Sequence, residues 1–239
     1  MAQEHVWERE YRNSKLLTKE NKPQNDVVRF FKFLKTVHNL SVLDLGSGTG
    51  RNSLYFAEKG AHVTGLEISK TAIDIAKENA KGWKIDYRKQ SIGEKFPSPT
   101  LRPNTLEVGE PTESVGFEDK SFDVVLDVTS SNSLSEEERS IYLQETHRVL
   151  KEGGYFFVKA LCKEGDANAK ALLKQFPGKE KDTYIMPELD LTERVWSGED
   201  FIKTYQTYFT ILKLEKKTSY SRMNNRSYKR NFWIAYMKK

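Results

Sequence analysis

A single cysteine, Cys162, stands in the 239 residues, so no intrachain disulfide can form and no Cys-rich zinc site can be assembled. Without a thiol partner, Cys162 reads as a small buried hydrophobe at a strand end. Long apolar runs are missing too. None approaches the roughly 18 consecutive apolar residues that a membrane span requires, and the start, MAQEHVWERE, lacks the apolar region of a secretion signal. These absences predict a cytoplasmic protein with no metal site and no membrane partner. Acids are scarce toward the end of the chain: from position 211 onward there are nine Lys or Arg and one acid, Glu215, a local charge of +8 against +5 for the whole chain. Such a stretch attracts nucleic acid or an anionic substrate without defining an activity.

What is present is globular in character. With 37% apolar residues, four Trp, eleven Tyr and thirteen Phe, the chain has more aromatic content than a disordered one carries, and its length suits one domain. We read residues 1–239 as that domain, with a lid and helix over 1–38, a core over 39–160, and a substrate-side segment with a terminal strand pair over 161–239. Val27, Phe30, Phe31, Leu34 and Val37 recur at spacings of three and four, the mark of an amphipathic helix. In SVLDLGSGTGRNSLYFAEKGAHVTGLEIS a strand over 42–45 meets a glycine turn, a helix to about Lys59 and a strand over 62–67, a β-α-β unit. A helix over 69–80 and strands in IDYRKQSI, FDVVLDV and GGYFFVKAL follow. Ser135 with Glu138 three residues on is a capping-box pattern, and Ser197 with Asp200 marks another helix start. This alternation predicts an α/β, doubly wound, mainly parallel sheet with helices on both faces. FTILKLEKKTSY and RNFWIAYMKK, with no helix between them, should pair antiparallel. The stretch 97–116 holds four of the seven prolines and is read as an irregular insertion.

Gly46, Gly48 and Gly50 sit where the first strand must turn sharply, and they permit positive φ and close approach by a ligand. Glu67 ends the next strand, 21 residues after Gly46, where an acid in such folds accepts hydrogen bonds from ribose hydroxyls. A dinucleotide site wants G-x-G-x-x-G, whose third glycine would fall on Arg51. Asp44, two residues before the turn, disfavours pyrophosphate and suits the cationic amino end of a sulfonium ligand. The plain alternative is a tight structural turn with no ligand.

VLDLGSGTGRNSLYFAEKG followed by VTGLEIS resembles the signature of the class I, seven-strand S-adenosylmethionine-dependent methyltransferases. SFDVVLDV and HRVLKEGGYFFV are similar to that family's fourth and fifth strands. The resemblance implies a Rossmann-like seven-stranded sheet with a final antiparallel strand, S-adenosylmethionine as cofactor and S-adenosylhomocysteine as product. It places Asp44, Gly46, Ser47 and Gly48 near the methionyl part, Thr49, Gly50 and Asn52 along the turn, Glu67 on the ribose and Ile68 on the adenine. The family's acid after the third strand is absent here, so Ser91 or Gln90 with the Ile92 amide would bind the adenine edge. Asp127, Val128 and Ser130 would face the sulfonium, and Tyr11, Arg12 and Lys19 could reach the cofactor from the lid.

No catalytic dyad is expected, because methyl transfer from a sulfonium depends chiefly on orientation and exclusion of water. Acceptor-side candidates are Ser130, Ser131 and Asn132, with Arg194 and Trp196 in the segment 184–196. DVTSS stands where DNA amino-methylating enzymes resemble D/N-P-P-F/Y, and Cys162 follows Leu161 rather than a proline, which disfavours cytosine C5 chemistry. A small-molecule acceptor is the leading expectation. RNA is the alternative, motivated by the alternation of basic residues with Tyr220 and Tyr228 in KKTSYSRMNNRSYKR, and a non-catalytic cofactor-binding protein is a third.

Overall fold

The structure is a computed structural model that describes residues 3–19, 21–34, 39–98, 116–223 and 225–239. Two short helices, α1 (Glu4–Asn13) and α2 (Lys15–Thr18), precede α3 (Asn25–Phe33). The alternating core then runs β1 (Ser41–Leu45), α4 (Arg51–Glu58), β2 (His62–Glu67), α5 (Lys70–Asn79), β3 (Ile85–Lys89), β4 (Phe122–Val128), α6 (Glu136–Val149) and β5 (Leu150–Leu161). Beyond it lie α7 (Ala167–Gln175), a hairpin of β6 (Thr183–Met186) and β7 (Leu191–Arg194), then α8 (Gly198–Tyr205), β8 (Thr210–Met223) and β9 (Arg226–Lys238).

Seven strands form one sheet in the order β3-β2-β1-β4-β5-β9-β8. The five strands from β3 to β5 are mutually parallel, and β9 runs antiparallel to both β5 and β8. This is the mainly parallel sheet with an antiparallel last strand that the sequence predicts. Period-2 alternation divides its side chains between two cores. Val42, Val124, Leu126, Phe157, Ile234 and Tyr236 pack with Phe30 of α3 and Phe56 of α4. Their neighbours Leu43, Val125, Phe156, Ala235 and Met237 pack on the other face with Tyr142 of α6 and with Phe201 and Tyr205 of α8. Both faces are therefore covered, which is why the central strands read as continuous apolar runs. Ser69, Ser135 and Ser197 cap their helices, Ser135 in a complete capping box with Glu138.

Two features depart from the sequence reading. The segment after β5 contains α7 and the β6–β7 hairpin, neither of which the mixed polar sequence signals. A parallel bridge between Cys162 and Trp196 holds that excursion against the end of β5. The final strands are also longer than the apolar pattern suggests, pairing out to Met223 opposite Arg226. Val37 and residues 99–115 of the proline-rich stretch lie outside the described residues; the flanks of that stretch meet, with the Phe117 amide donating to the Pro97 carbonyl at 2.7 Å. Among the described residues no helix is long and apolar enough to cross a membrane.

Candidate active site

Because β1 to β5 are parallel, the loops that follow them converge on one edge of the sheet, where such folds bind ligands. The turn after β1 is held tightly there. Gly46 has φ +67°, and a Cβ on it would stand 2.1 Å from the Ser130 hydroxyl of the loop after β4. Gly48 has φ +55°, and its Cβ would meet the Tyr11 hydroxyl of α1 at 2.6 Å. Only glycine fits either position. The Glu67 carboxylate lies behind this turn, accepting from the Gly48 amide at 2.8 Å and from the Ile68 and Ser69 amides at 2.9 Å each. Three of its roughly four acceptor sites are thus taken, leaving room for one more donor. Burial pushes its pKa up, against the pull of those three amides. Asp44 is buried beneath the turn and accepts from the Ser53 hydroxyl at 2.6 Å. Desolvation, reinforced by the nearby Asp127 and Glu67 charges, pushes it up to about 6.

The loop after β4 is shaped by Asp127. Its carboxylate accepts from the Ser130 and Ser131 amides at 2.9 and 3.3 Å and from the Tyr142 hydroxyl at 2.7 Å. Thr129 is forced to φ +70°, a rare conformation for a β-branched residue. Asn132 fastens this loop to β5, donating to the Thr129 carbonyl and accepting from the Leu161 amide, both at 3.1 Å.

The lid supplies a roof. Glu8 accepts from the Ser69 and Thr71 hydroxyls at 2.7 and 2.6 Å and from the Thr71 amide at 3.1 Å, bonds that hold its carboxyl down to about 2. Gln3 donates to the Ser133 and Thr192 carbonyls and accepts from the Thr192 amide, joining the lid to β7. Downstream, the Gln24 amide donates to the Asn52 side chain at 3.0 Å. Asp26 pairs with Lys159 at 3.1 Å and Lys217 at 2.9 Å, and those cations hold its pKa down against desolvation. Ser219, Tyr220, Ser221 and Arg222 of β8 add a further wall to a cavity of about 490 Å³, well within the range of small-ligand sites.

This topology and this turn have close counterparts. Residues 43–158 match the family model described as a methyltransferase domain. The matched stretch, just under half of the chain, carries the glycine turn, β2 and β4 of a methyltransferase domain. An S-adenosylmethionine-dependent methyltransferase from Methanosarcina mazei has the same fold, with a TM-score of 0.70 at 23% identity over 88% of this chain and 96% of the other. A ubiquinone biosynthesis O-methyltransferase of Pelagibacter ubique is 26% identical over 203 residues, 83% of this chain and 70% of that protein. The arsenite methyltransferase of Mus musculus is 30% identical over 125 residues, 51% of this chain and 30% of that protein. The chain thus spans less than a third of the length of that relative.

In this methyltransferase domain, Gly46, Ser47, Gly48, Thr49, Asn52, Glu67, Ile68, Ser91 and Ile92 line one cavity with Val128, Ser130 and Asn132. Gln90 and Tyr11 line it as well. Other residues singled out in the sequence lie elsewhere. Asp44, Gly50, Asp127 and Ser131 sit behind the wall; the Asp127 side chain turns inward to Tyr142 instead of facing the ligand. Arg194 and Trp196 are also outside the lining: Arg194 pairs with Glu136 at 3.2 Å and stacks over Trp196, which is fully buried. Arg12 pairs with Glu8 on the exposed side of α1, and Lys19 does not reach the cavity. Sequence reasoning missed Gln3, Asp26 and Lys159, and for Glu193 and Arg222 it named only the segments that hold them; all five line the cavity. For Lys159 a signal existed, since it is a lone charge in an apolar strand context, FFVKAL.

Proposed function

We propose that the protein transfers the methyl group of S-adenosylmethionine to a small-molecule acceptor. The cofactor supplies an electrophilic methyl on a sulfonium, so the reaction is an in-line displacement whose rate depends on alignment and dryness. The single observation that carries the reading is the continuous cavity, which runs from the glycine turn and Glu67 to the ends of β4 and β5 beside α1 and α2.

The residues fit that cofactor. The remaining acceptor capacity of Glu67 suits a ribose hydroxyl, Ile68 offers an apolar face to the adenine, and Ser91 with the Ile92 amide offers its edge a hydrogen-bonding pair. The close-packed glycines let backbone amides approach the methionyl group. Asp44 acts through its field from beneath the turn, favouring an ammonium group above it. Val128, Thr129 and Ser130, held by Asp127 from behind, border the space where the acceptor meets the methyl.

The acceptor class rests on the size and lining of that cavity. Four residues of the basic hairpin raised for RNA binding, at 219–222, contribute a wall to the cavity, which favours a compact acceptor over a run of stacked bases. The names of the two curated relatives above point the same way, to arsenite and to a ubiquinone precursor pathway. Incubation with methyl-labelled S-adenosylmethionine and separate metabolite, RNA and protein fractions tests the reading. Label should enter the metabolite fraction; label in RNA or protein alone would overturn the acceptor class.

A further inference from the structure

On the acceptor side of the cavity one buried acid has no part in holding the cofactor. Glu193 of β7 is 5% exposed and lines the cavity. Its strand packs beside the loop after β4: Gln3 bridges the Ser133 carbonyl on that loop to the backbone of Thr192, the residue next to Glu193. Glu193 therefore lines the cavity on a strand packed beside the loop that follows β4.

Its surroundings form a built relay. The Tyr184 hydroxyl of β6 donates to Glu193 Oε2 at 2.6 Å, and Arg230 Nη1 of β9 donates to that hydroxyl at 2.8 Å. Arg230 in turn pairs with Asp166 at 3.0 Å, and Asp166 caps α7. The relay fixes the carboxylate through Oε2. Among the described residues no donor bonds Oε1, so that oxygen is available to a guest in the cavity. A buried carboxylate held through one oxygen, with the other left unbonded, offers a fixed hydrogen-bond acceptor to a ligand donor in the cavity.

We infer that Glu193 receives the proton of an O–H or N–H acceptor as that acceptor is methylated. This rests on the methyltransferase reading and sharpens it to the acceptor's chemistry. In the step, the S–CH₃ bond breaks with its electron pair staying on sulfur, and the acceptor oxygen or nitrogen forms the new bond to carbon. The acceptor's proton passes to Glu193 Oε1, so the cationic sulfonium and the carboxylate become a neutral thioether and a neutral carboxylic acid. Desolvation raises the Glu193 pKa against the opposing pull of Arg230 and Tyr184, which makes it a better base near neutral pH than an ordinary carboxylate.

The test compares wild type with Glu193→Gln, which preserves an acceptor for the Tyr184 hydroxyl. Three probes are used with S-adenosylmethionine: catechol for O–H, benzimidazole for N–H, and thiophenol, which ionises near neutral pH unaided. Release of S-adenosylhomocysteine, its calorimetric affinity and thermal melting are measured for both proteins. Wild type should turn over catechol or benzimidazole with an acidic limb in its pH profile. The variant should lose that turnover by about 10²-fold or more and lose the limb, while thiophenol turnover, cofactor-product affinity and melting change little. Equal turnover of catechol and benzimidazole by both proteins, or methylation of thiophenol alone or of no probe by a wild type that binds S-adenosylhomocysteine, overturns the role of Glu193. A wild type that binds no S-adenosylhomocysteine overturns the methyltransferase reading itself, and the inference with it.

Discussion

Replacing Gly46 by Ala should damage the protein in two separable ways. The left-handed φ of +67° costs an alanine roughly 1–2 kcal/mol. Its Cβ would also stand 2.1 Å from the Ser130 Oγ and 2.4 Å from the Ser130 Cβ, and forcing a methyl into such packing costs about 1–3 kcal/mol more. The expected loss is about 2–5 kcal/mol, and each kcal/mol lowers the melting temperature of a chain this size by about 2–4 °C. Ser130→Gly removes both offending atoms and leaves the Ser130 Cα at an ordinary 3.7 Å. In that background Gly46→Ala should therefore cost only its conformational part. The coupling read from a double-mutant cycle of denaturant melts should be about 1–3 kcal/mol, and calorimetric affinity for S-adenosylhomocysteine should recover in parallel. If Gly46→Ala costs the same in both backgrounds, the turn is not pressed against the β4 loop as described, and the reasoning fails.

Three further outcomes are expected. Glu67→Gln should weaken S-adenosylhomocysteine binding by about 10- to 100-fold, the scale of one charge-assisted hydrogen bond; unchanged affinity in calorimetry would remove Glu67 from the ribose site. Asp26→Asn strips the buried Lys159 of its anionic partner and should cost about 3–5 kcal/mol in urea melts, most of which a joint Asp26→Leu and Lys159→Met replacement should restore; equal losses in both proteins would refute the pairing. For Asp44 the sign follows from its raised pKa of about 6 against 3.8 in a free chain. The folded state keeps the proton longer, so this group's contribution is complete below pH 3.8 and is lost as pH rises through 6, a change of about 3 kcal/mol. Ligand-free Asp44→Asn should accordingly be more stable than wild type at pH 7.5 and nearly equal to it at pH 4, by denaturation at the two pH values; a gain that persists unchanged at pH 4 would contradict the assignment.

Much of this molecule was legible in one dimension because the signals are local. Strand alternation in VLDL and FDVVLDV, the serine caps at 69, 135 and 197, and the glycine spacing with Glu67 each reflect backbone geometry within a few residues or one β-α-β unit. They determined the sheet, its two covered faces and the cofactor edge. The acceptor end had no such local signature. Whether Asp127 faces the ligand or the core depends on Tyr142, and whether Arg194 reaches the cavity depends on Glu136 and Trp196. Tyr11 meets Gly48 and Gln3 meets Thr192 only after the roof has docked, and Asp26 meets Lys159 only after α3 has packed on the sheet. The same docking gives the polar hairpin at 219–222 a wall to form and Glu193 a chamber to enter. Side-chain direction at these positions is decided by partners far away in sequence, and only tertiary packing brings those partners into reach.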